Sequence, residues 1–150
     1  MTSPSEPETI VVGVDTSPGA SAALSWAIAE ARLRGAHLRV VHVLPALRRV
    51  LSGSTGDEYY EQLEEEAGTE LESVLSAFPE LADLPMSRSI VFGNAAEVLV
   101  QESEGAHLLV VGSRGLGGFA GVVLGSVSAH CAHLAHCPVV IVRQGLETED

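Results

Sequence analysis

Between residues 112 and 128 the chain reads GSRGLGGFAGVVLGSVS, with glycine at Gly112, Gly115, Gly117, Gly118, Gly121 and Gly125, six in fourteen positions. Backbone without Cβ atoms can take left-handed conformations and turn several N–H groups toward one anion. Ser126 and Ser128 add hydroxyl donors where the segment enters a helix. Helix starts also offer free N–H groups and the positive end of the dipole. The chemistry this pattern suggests is phosphate binding without a lysine. The eight basic residues are all arginine, which excludes a Walker-type lysine, a kinase-type strand lysine and a Schiff-base lysine.

Two other readings of the segment stand beside it. One is a plain flexible turn. The other is a dinucleotide fingerprint, since Gly115-Leu116-Gly117-Gly118-Phe119-Ala120 fits G-x-G-x-x-A. That match follows the fourth expected strand, and no acid lies about twenty residues further on to hold a ribose.

Charge favours the phosphate reading. The formal net charge is −12, which repels nucleic acid and anionic membrane surfaces. No Asp or Glu occurs between Glu104 and Glu147, whereas Arg114, Arg143, His107, His130, His133 and His136 do. A phosphate-bearing ligand meets least repulsion there.

Further candidates carry competing readings. His130, His133, His136 and Cys137 share helical spacing that could serve a metal. The plainer alternative is a helix that packs through Cys131, Leu134 and Ala135 with its histidines partly exposed. Trp26 with Ala22, Ala29 and Leu33 forms a second apolar stripe on the first helix, read as packing rather than as a stacking site for a base. Glu64-Glu65-Glu66 reads as a solvated face. Cys131 and Cys137 match no secreted disulfide framework, and the first ten residues lack the basic and apolar regions of a signal peptide. A reducing cytoplasm is the expected location.

The elements that must position these residues alternate strand and helix. Strands are expected at 9–14, 37–44, 86–92, 107–111 and from Val139 to Arg143. Ser17 as cap and Pro18 in the first turn open the first helix, and Gly35 ends it. A loop covers 46–56, and a second helix runs from about Asp57 to Phe78 with Tyr60, Leu63, Ala67, Leu71, Val74, Leu75 and Phe78 on one stripe. Asn94 and Glu97 suggest a capped third helix, and a fourth spans Ser126 to about His136. The β/α alternation implies one doubly wound α/β domain over 9–143, a five-stranded parallel sheet in order 3-2-1-4-5 with helices on both faces. Residues 1–8 are expected to form a flexible tail and 144–150 an acidic one. Ligands of such sheets bind where the winding reverses, between the first and fourth strands, where Asp15 and Gly112 lie.

The spacing Gly112-x2-Gly115-x9-Gly125-Ser126 resembles the ATP-binding signature of the universal stress protein family. VVGVDTSPGASAALSWAIAEA, VHV before Pro45, LLVVGSRGLGGFAG, LGSVS and HCPVVIVR extend the resemblance over roughly 9–143. The resemblance implies ATP, with Mg²⁺, at the switch point. Asp15 would sit beside the ribose or the metal-bound phosphates, and Val43 would meet the adenine through its backbone. Gly112, Arg114, Gly115, Gly125, Ser126, Val127 and Ser128 would surround ribose and phosphates. It also implies a homodimer through Val139–Arg143, which would cover an apolar edge strand. His107 and Ala95 depart from the Asp and Pro the family often carries there. The expected role is a regulatory ATP-binding stress protein. Its alternatives are a slow ATPase or an enzyme phosphorylating itself on Ser126 or Ser128, and an interaction protein that no longer binds nucleotide.

Overall fold

A computed structural model describes residues 7–46, 56–113 and 124–143. The expected tails at 1–6 and 144–150 and most of the 46–56 loop lie outside the described residues. The chain runs β1 (Thr9–Gly13), α1 (Pro18–Arg34), β2 (His37–Leu44), α2 (Gly56–Leu75), β3 (Met86–Phe92), α3 (Ala95–Glu102), β4 (Leu108–Gly112), α4 (Ser126–Leu134) and β5 (Val139–Val142). A 3₁₀ turn over Pro79–Asp83 precedes β3. The five strands pair in the order β3-β2-β1-β4-β5, all parallel. This is the doubly wound arrangement that the alternation implies.

The strands sort their side chains by parity, because successive residues of a strand point to opposite faces. Ile10, Val12, Leu38, Val40, Leu108 and Val110 pack with α1 and α2, whose Ala23, Leu24, Ala27, Leu71 and Leu75 are buried. Val11, Val41, Leu109 and Val111 pack with Val98 and Leu99 of α3 and Cys131 of α4 on the opposite face. Both faces are thus covered, as a parallel sheet requires. Alanines at the α1 contact allow that helix to lie close to the sheet.

Local signals set the boundaries. The Ser17 hydroxyl accepts from the Ala20 N–H at 3.2 Å, and Pro18 occupies the first turn of α1. Gly35 closes α1 at φ 64°, with Ala36 N–H bonded back to the Ala31 carbonyl at 2.9 Å. Asn94 caps α3 by accepting from the Glu97 N–H at 3.1 Å. Helix α2 stops at Leu75, short of the expected Phe78. The residue before a proline disfavours helical backbone, and Pro79 follows Phe78. Helix α4 likewise ends at Leu134, since Ala135 turns to ψ 150°. Glu8, assigned by its sequence to the tail, accepts from the His37 N–H at 2.8 Å and pairs with Arg34.

Two apolar expectations are corrected. The Trp26 stripe of α1 packs only in part: Ala22 is half-buried and Trp26 36% exposed, while Ala29 is exposed and Leu33 is 82% exposed. Leu134 is 53% exposed, so α4 packs through Cys131 and, half-buried, Ala135. Burial pushes the Cys131 thiol up to about 11, which keeps it protonated and unreactive at neutral pH. Ser103, fully buried, ties this layer together. Its hydroxyl donates to the Val100 carbonyl at 2.6 Å and accepts from the His136 N–H at 2.9 Å. The acidic run Glu64–Glu66 is exposed, as read from its pattern.

Candidate nucleotide site

The sheet splays open where β1 and β4 part company, because α1 leaves β1 on one face while the chain leaves β4 toward α4 on the other. A cleft forms there at the carboxyl ends of the strands, the position expected for a ligand in a doubly wound sheet. Its walls come from every central element: Gly13 to Asp15 at the exit of β1, Ser17 and Ala20 of α1, Val41 and Val43 of β2, Ala95 and Leu99 of α3, Val111 and Gly112 of β4, and Val127 of α4. The cavity is about 90 Å³, smaller than the roughly 300–1,000 Å³ of sites that enclose a drug-sized molecule. It has room for only part of a molecule of that size.

The β1 exit is held rigidly. Val14 N–H donates to the Val41 carbonyl at 2.9 Å, and the Val14 carbonyl accepts from Nδ1 of buried His42 at 2.6 Å. A carbonyl can only accept, so Nδ1 carries the proton. Asp15 follows, half-buried, with Oδ1 accepting from the Ser17 N–H at 2.6 Å. Among the described residues, its carboxylate is the single charged group lining the cleft. Lone pairs not used by Ser17 can take a hard cation such as Mg²⁺, which carboxylate oxygens suit.

Gly112 answers a steric demand. A Cβ on it would lie 2.9 Å from the Gly19 carbonyl oxygen and 3.1 Å from its carbon, so the first turn of α1 rests directly on the end of β4. Gly13 meets a similar neighbour, with Leu99 Cδ1 at 2.8 Å from a Cβ built there. The two glycines let α1 and α3 close in from opposite faces, and the cleft is the space left between them.

Across the cleft, Ser113 receives the chain from α4. Its carbonyl accepts from the Gly125 N–H at 2.6 Å and from the Ser128 hydroxyl at 2.9 Å. Ser128 is 2% exposed and turns its hydroxyl into the protein. Ser126, in contrast, is exposed at the first turn of α4. The helix makes its first internal bond from Ala129 N–H to the Gly125 carbonyl, so the N–H groups of Ser126, Val127 and Ser128 form the first turn, which has no acceptor one turn back within the helix.

Of the residues expected to form the site, Asp15, Val43, Gly112 and Val127 line one cleft. Gly125, Ser126 and Ser128 stand at the adjoining helix start, while Arg114 and Gly115 lie outside the described residues. The sequence reading missed Val41, Ala95 and Leu99. Val41 was within reach of it, two residues from Val43 and on the same face of β2. Ala95 was noted only as a departure from the resembled pattern. Nothing in the spacing of α3 assigns Leu99 to a cleft rather than to the core, where it also belongs. Among the described residues, no three His, Cys, Asp or Glu side chains gather to hold a metal ion. Burial also pushes the Cys137 thiol up, away from the thiolate a metal requires. Nor, among the described residues, is any helix long and apolar enough to cross a membrane.

Known proteins resemble this chain in sequence and in fold. The sequence pattern described as the universal stress protein family matches residues 7–143. Universal stress protein Rv2005c of Mycobacterium tuberculosis is 39% identical over 137 residues, 90% of this chain and 45% of the relative. The chain thus spans about half the length of the curated relatives it matches. Whole solved chains correspond as well. A universal stress protein in complex with cAMP is 27% identical with a TM-score of 0.62, over 92% of this chain and 98% of the other. That of Archaeoglobus fulgidus in complex with dAMP is 25% identical with a TM-score of 0.64, over 90% and 97%.

Proposed function

The chain belongs to the universal stress protein family, and from that premise we propose that it binds an adenine nucleotide, ATP with Mg²⁺, as a regulatory module. The observation that carries this reading is the convergence of Asp15, Val43, Gly112 and Val127 on one cleft at the β1/β4 switch point. Val41, Val43, Ala95 and Leu99 offer apolar walls to a flat ring. The cleft floor leads to the first turn of α4, where N–H groups favour phosphate. The cAMP and dAMP of the two solved relatives share an adenine ring on a phosphorylated pentose, which supports an adenine ring in this cleft. ATP adds phosphates whose charge Asp15 can accommodate only through a cation, and this is the reason for Mg²⁺.

Binding rather than turnover suits the residues in place. Asp15 is the one carboxylate of the lining among the described residues, and a carboxylate that holds Mg²⁺ is not at the same time a free general base. Of the two serines read as phosphorylation targets, Ser128 has its hydroxyl bonded to the Ser113 carbonyl and buried, leaving Ser126 as the accessible one. Nucleotide released from the purified, heat-denatured protein and identified by mass spectrometry tests the reading directly. Recovery of intact adenine nucleotide is expected, and a protein that neither carries nor takes up any overturns it.

Asp15→Asn gives a sharper test. The amide keeps an oxygen for the Ser17 N–H, so the turn survives. Affinity for ATP with Mg²⁺ is expected to fall about tenfold by calorimetry, the scale of one charge-assisted contact. Affinity for ATP in chelator is expected to hold or rise, because a like charge has been removed. Equal loss under both conditions would place Asp15 away from the metal.

We further infer a homodimer through β5 in the cytoplasm. Val139 to Val142 pair with β4 on one side only and remain half-buried, and an apolar edge strand calls for a partner. Light scattering at micromolar concentration should return twice the chain mass; a monomer there removes the proposal.

A further inference from the structure

Ser128 was read from sequence as a ligand of the phosphates, because it follows a glycine-rich segment at a helix start. Its geometry assigns it a different task. The side chain is 2% exposed, and its hydroxyl donates to the Ser113 carbonyl at 2.9 Å, with the Gly125 carbonyl in reach at 3.1 Å. A hydroxyl has one proton to give, and here it is given to the backbone at the end of β4. The same Ser113 carbonyl accepts from the Gly125 N–H at 2.6 Å, while the Ser113 N–H donates to the Val142 carbonyl of β5 at 2.9 Å. Three segments meet at one residue: the last position after β4, the edge strand β5, and the first turn of α4.

We propose that Ser128 is a positioning residue of the nucleotide site, which fixes the start of α4 against the end of β4 and thereby sets the gap between Gly112 and Val127. The inference rests on the nucleotide reading for its effect on affinity, but not for the clasp itself. Gly112 directly precedes Ser113, and Val127 directly precedes Ser128, so the bond between Ser113 and Ser128 ties together the neighbours of two residues that face the cleft. Loss of the hydroxyl leaves the Gly125 N–H as the only one of these two donors still holding the Ser113 carbonyl. The helix start is then free to move away from β4, and the N–H groups of its first turn lose their aim. Ser126, exposed two residues earlier, has no part in this clasp and is the serine available to a ligand.

The experiment compares Ser128→Ala, Ser128→Thr and Ser126→Ala in the full chain. Amide hydrogen exchange of Ser113 and Gly125 is followed without nucleotide, and ATP affinity is measured with Mg²⁺ by calorimetry. Ser128→Ala is expected to speed exchange at Gly125 about tenfold and to weaken ATP about tenfold, consistent with one buried hydrogen bond. Ser128→Thr, which keeps the hydroxyl, is expected to restore both toward wild type. Ser126→Ala is expected to weaken ATP while leaving exchange in the nucleotide-free protein unchanged. If Ser128→Ala weakens ATP with exchange unaltered, the hydroxyl acts on the ligand and the proposal is overturned. It is equally overturned if neither quantity moves. Should wild type bind no ATP at all, the nucleotide reading fails, and exchange in the nucleotide-free variants still decides the clasp.

Discussion

Gly112→Ala is expected to cost about 2–3 kcal/mol of stability, the range for a methyl forced into a packed site, and to weaken ATP at least about tenfold. The added Cβ would lie 2.9 Å from the Gly19 carbonyl oxygen. That neighbour is main chain, so no rotamer change relieves the contact, and α1 must shift at its first turn. The turn from Asp15 to Ser17 sits immediately before it, held by the Asp15 Oδ1 bond to Ser17 N–H. A shift of α1 therefore moves the Asp15 carboxylate and one wall of the cleft together. For a chain of this size a loss of 2–3 kcal/mol lowers Tm by about 4–12 °C. Thermal melts with and without saturating ATP separate the two effects: ligand at about a hundred times Kd stabilises wild type by about 2.7 kcal/mol, and with affinity weakened tenfold the same concentration stabilises the variant by only about 1.4 kcal/mol. Gly68→Ala is the matched control. A Cβ there meets Ile90 Cδ1 at 3.7 Å, an ordinary contact, inside α2. That change is expected to stabilise by about 0.5–1 kcal/mol. A Gly112→Ala protein that melts and binds like wild type would show that α1 does not rest on β4 as described.

The second large effect lies on the other face. Leu99, 4% exposed, belongs to the core and to the cleft wall at once. Leu99→Ala is expected to cost about 2–4 kcal/mol by denaturant unfolding, through lost burial and the cavity left behind. Gly13→Ala alone is expected to cost about 1–2 kcal/mol, since its Cβ would stand 2.8 Å from Leu99 Cδ1 and 3.2 Å from Cδ2 within packed surroundings. In the Leu99→Ala background the obstructing branch is gone, and the Gly13 change should be nearly neutral. The double variant is then more stable than the sum of the single losses predicts, by a coupling of about 1–2 kcal/mol. Additive losses would mean that Leu99 swings aside at no cost, and that α3 does not lean on β1 as closely as the structure has it.

The two glycines show where sequence information ends. Gly112 at the end of the fourth strand, with Asp15 after the first, pointed to the switch point from the sequence, whereas Gly13 took no part in that reading. The reason they are glycines is not plain, because each answers to an element distant in sequence, Leu99 in one case and a contact across α1 in the other. Positive φ has no part in either; it occurs at Gly35, Gly93 and Gly105.

Much of the fold was legible because its signals are local. Runs of β-branched residues, the Ser17-Pro18 start and Gly35 stop of α1, and the Asn94 cap of α3 each act within a few residues, and alternation of strand with helix then leaves few topologies. The proposal of phosphate chemistry rests on local signals too, the glycines, the helix-start serines and the absence of acids between Glu104 and Glu147. Tertiary structure alone decided three things. Spacing shows that Trp26, Ala29 and Leu33 share a face of α1, but only the placement of the other layers shows that this face is covered in part, with Leu33 left 82% exposed. Leu99 enters the cleft because the crossover sets α3 against Gly13, and no periodicity in an eight-residue helix encodes that. Ser128 looks like a ligand donor in one dimension, whereas in three its hydroxyl is bonded to the Ser113 carbonyl, since a hydroxyl's partner is settled by which acceptor the fold brings within 3 Å of it.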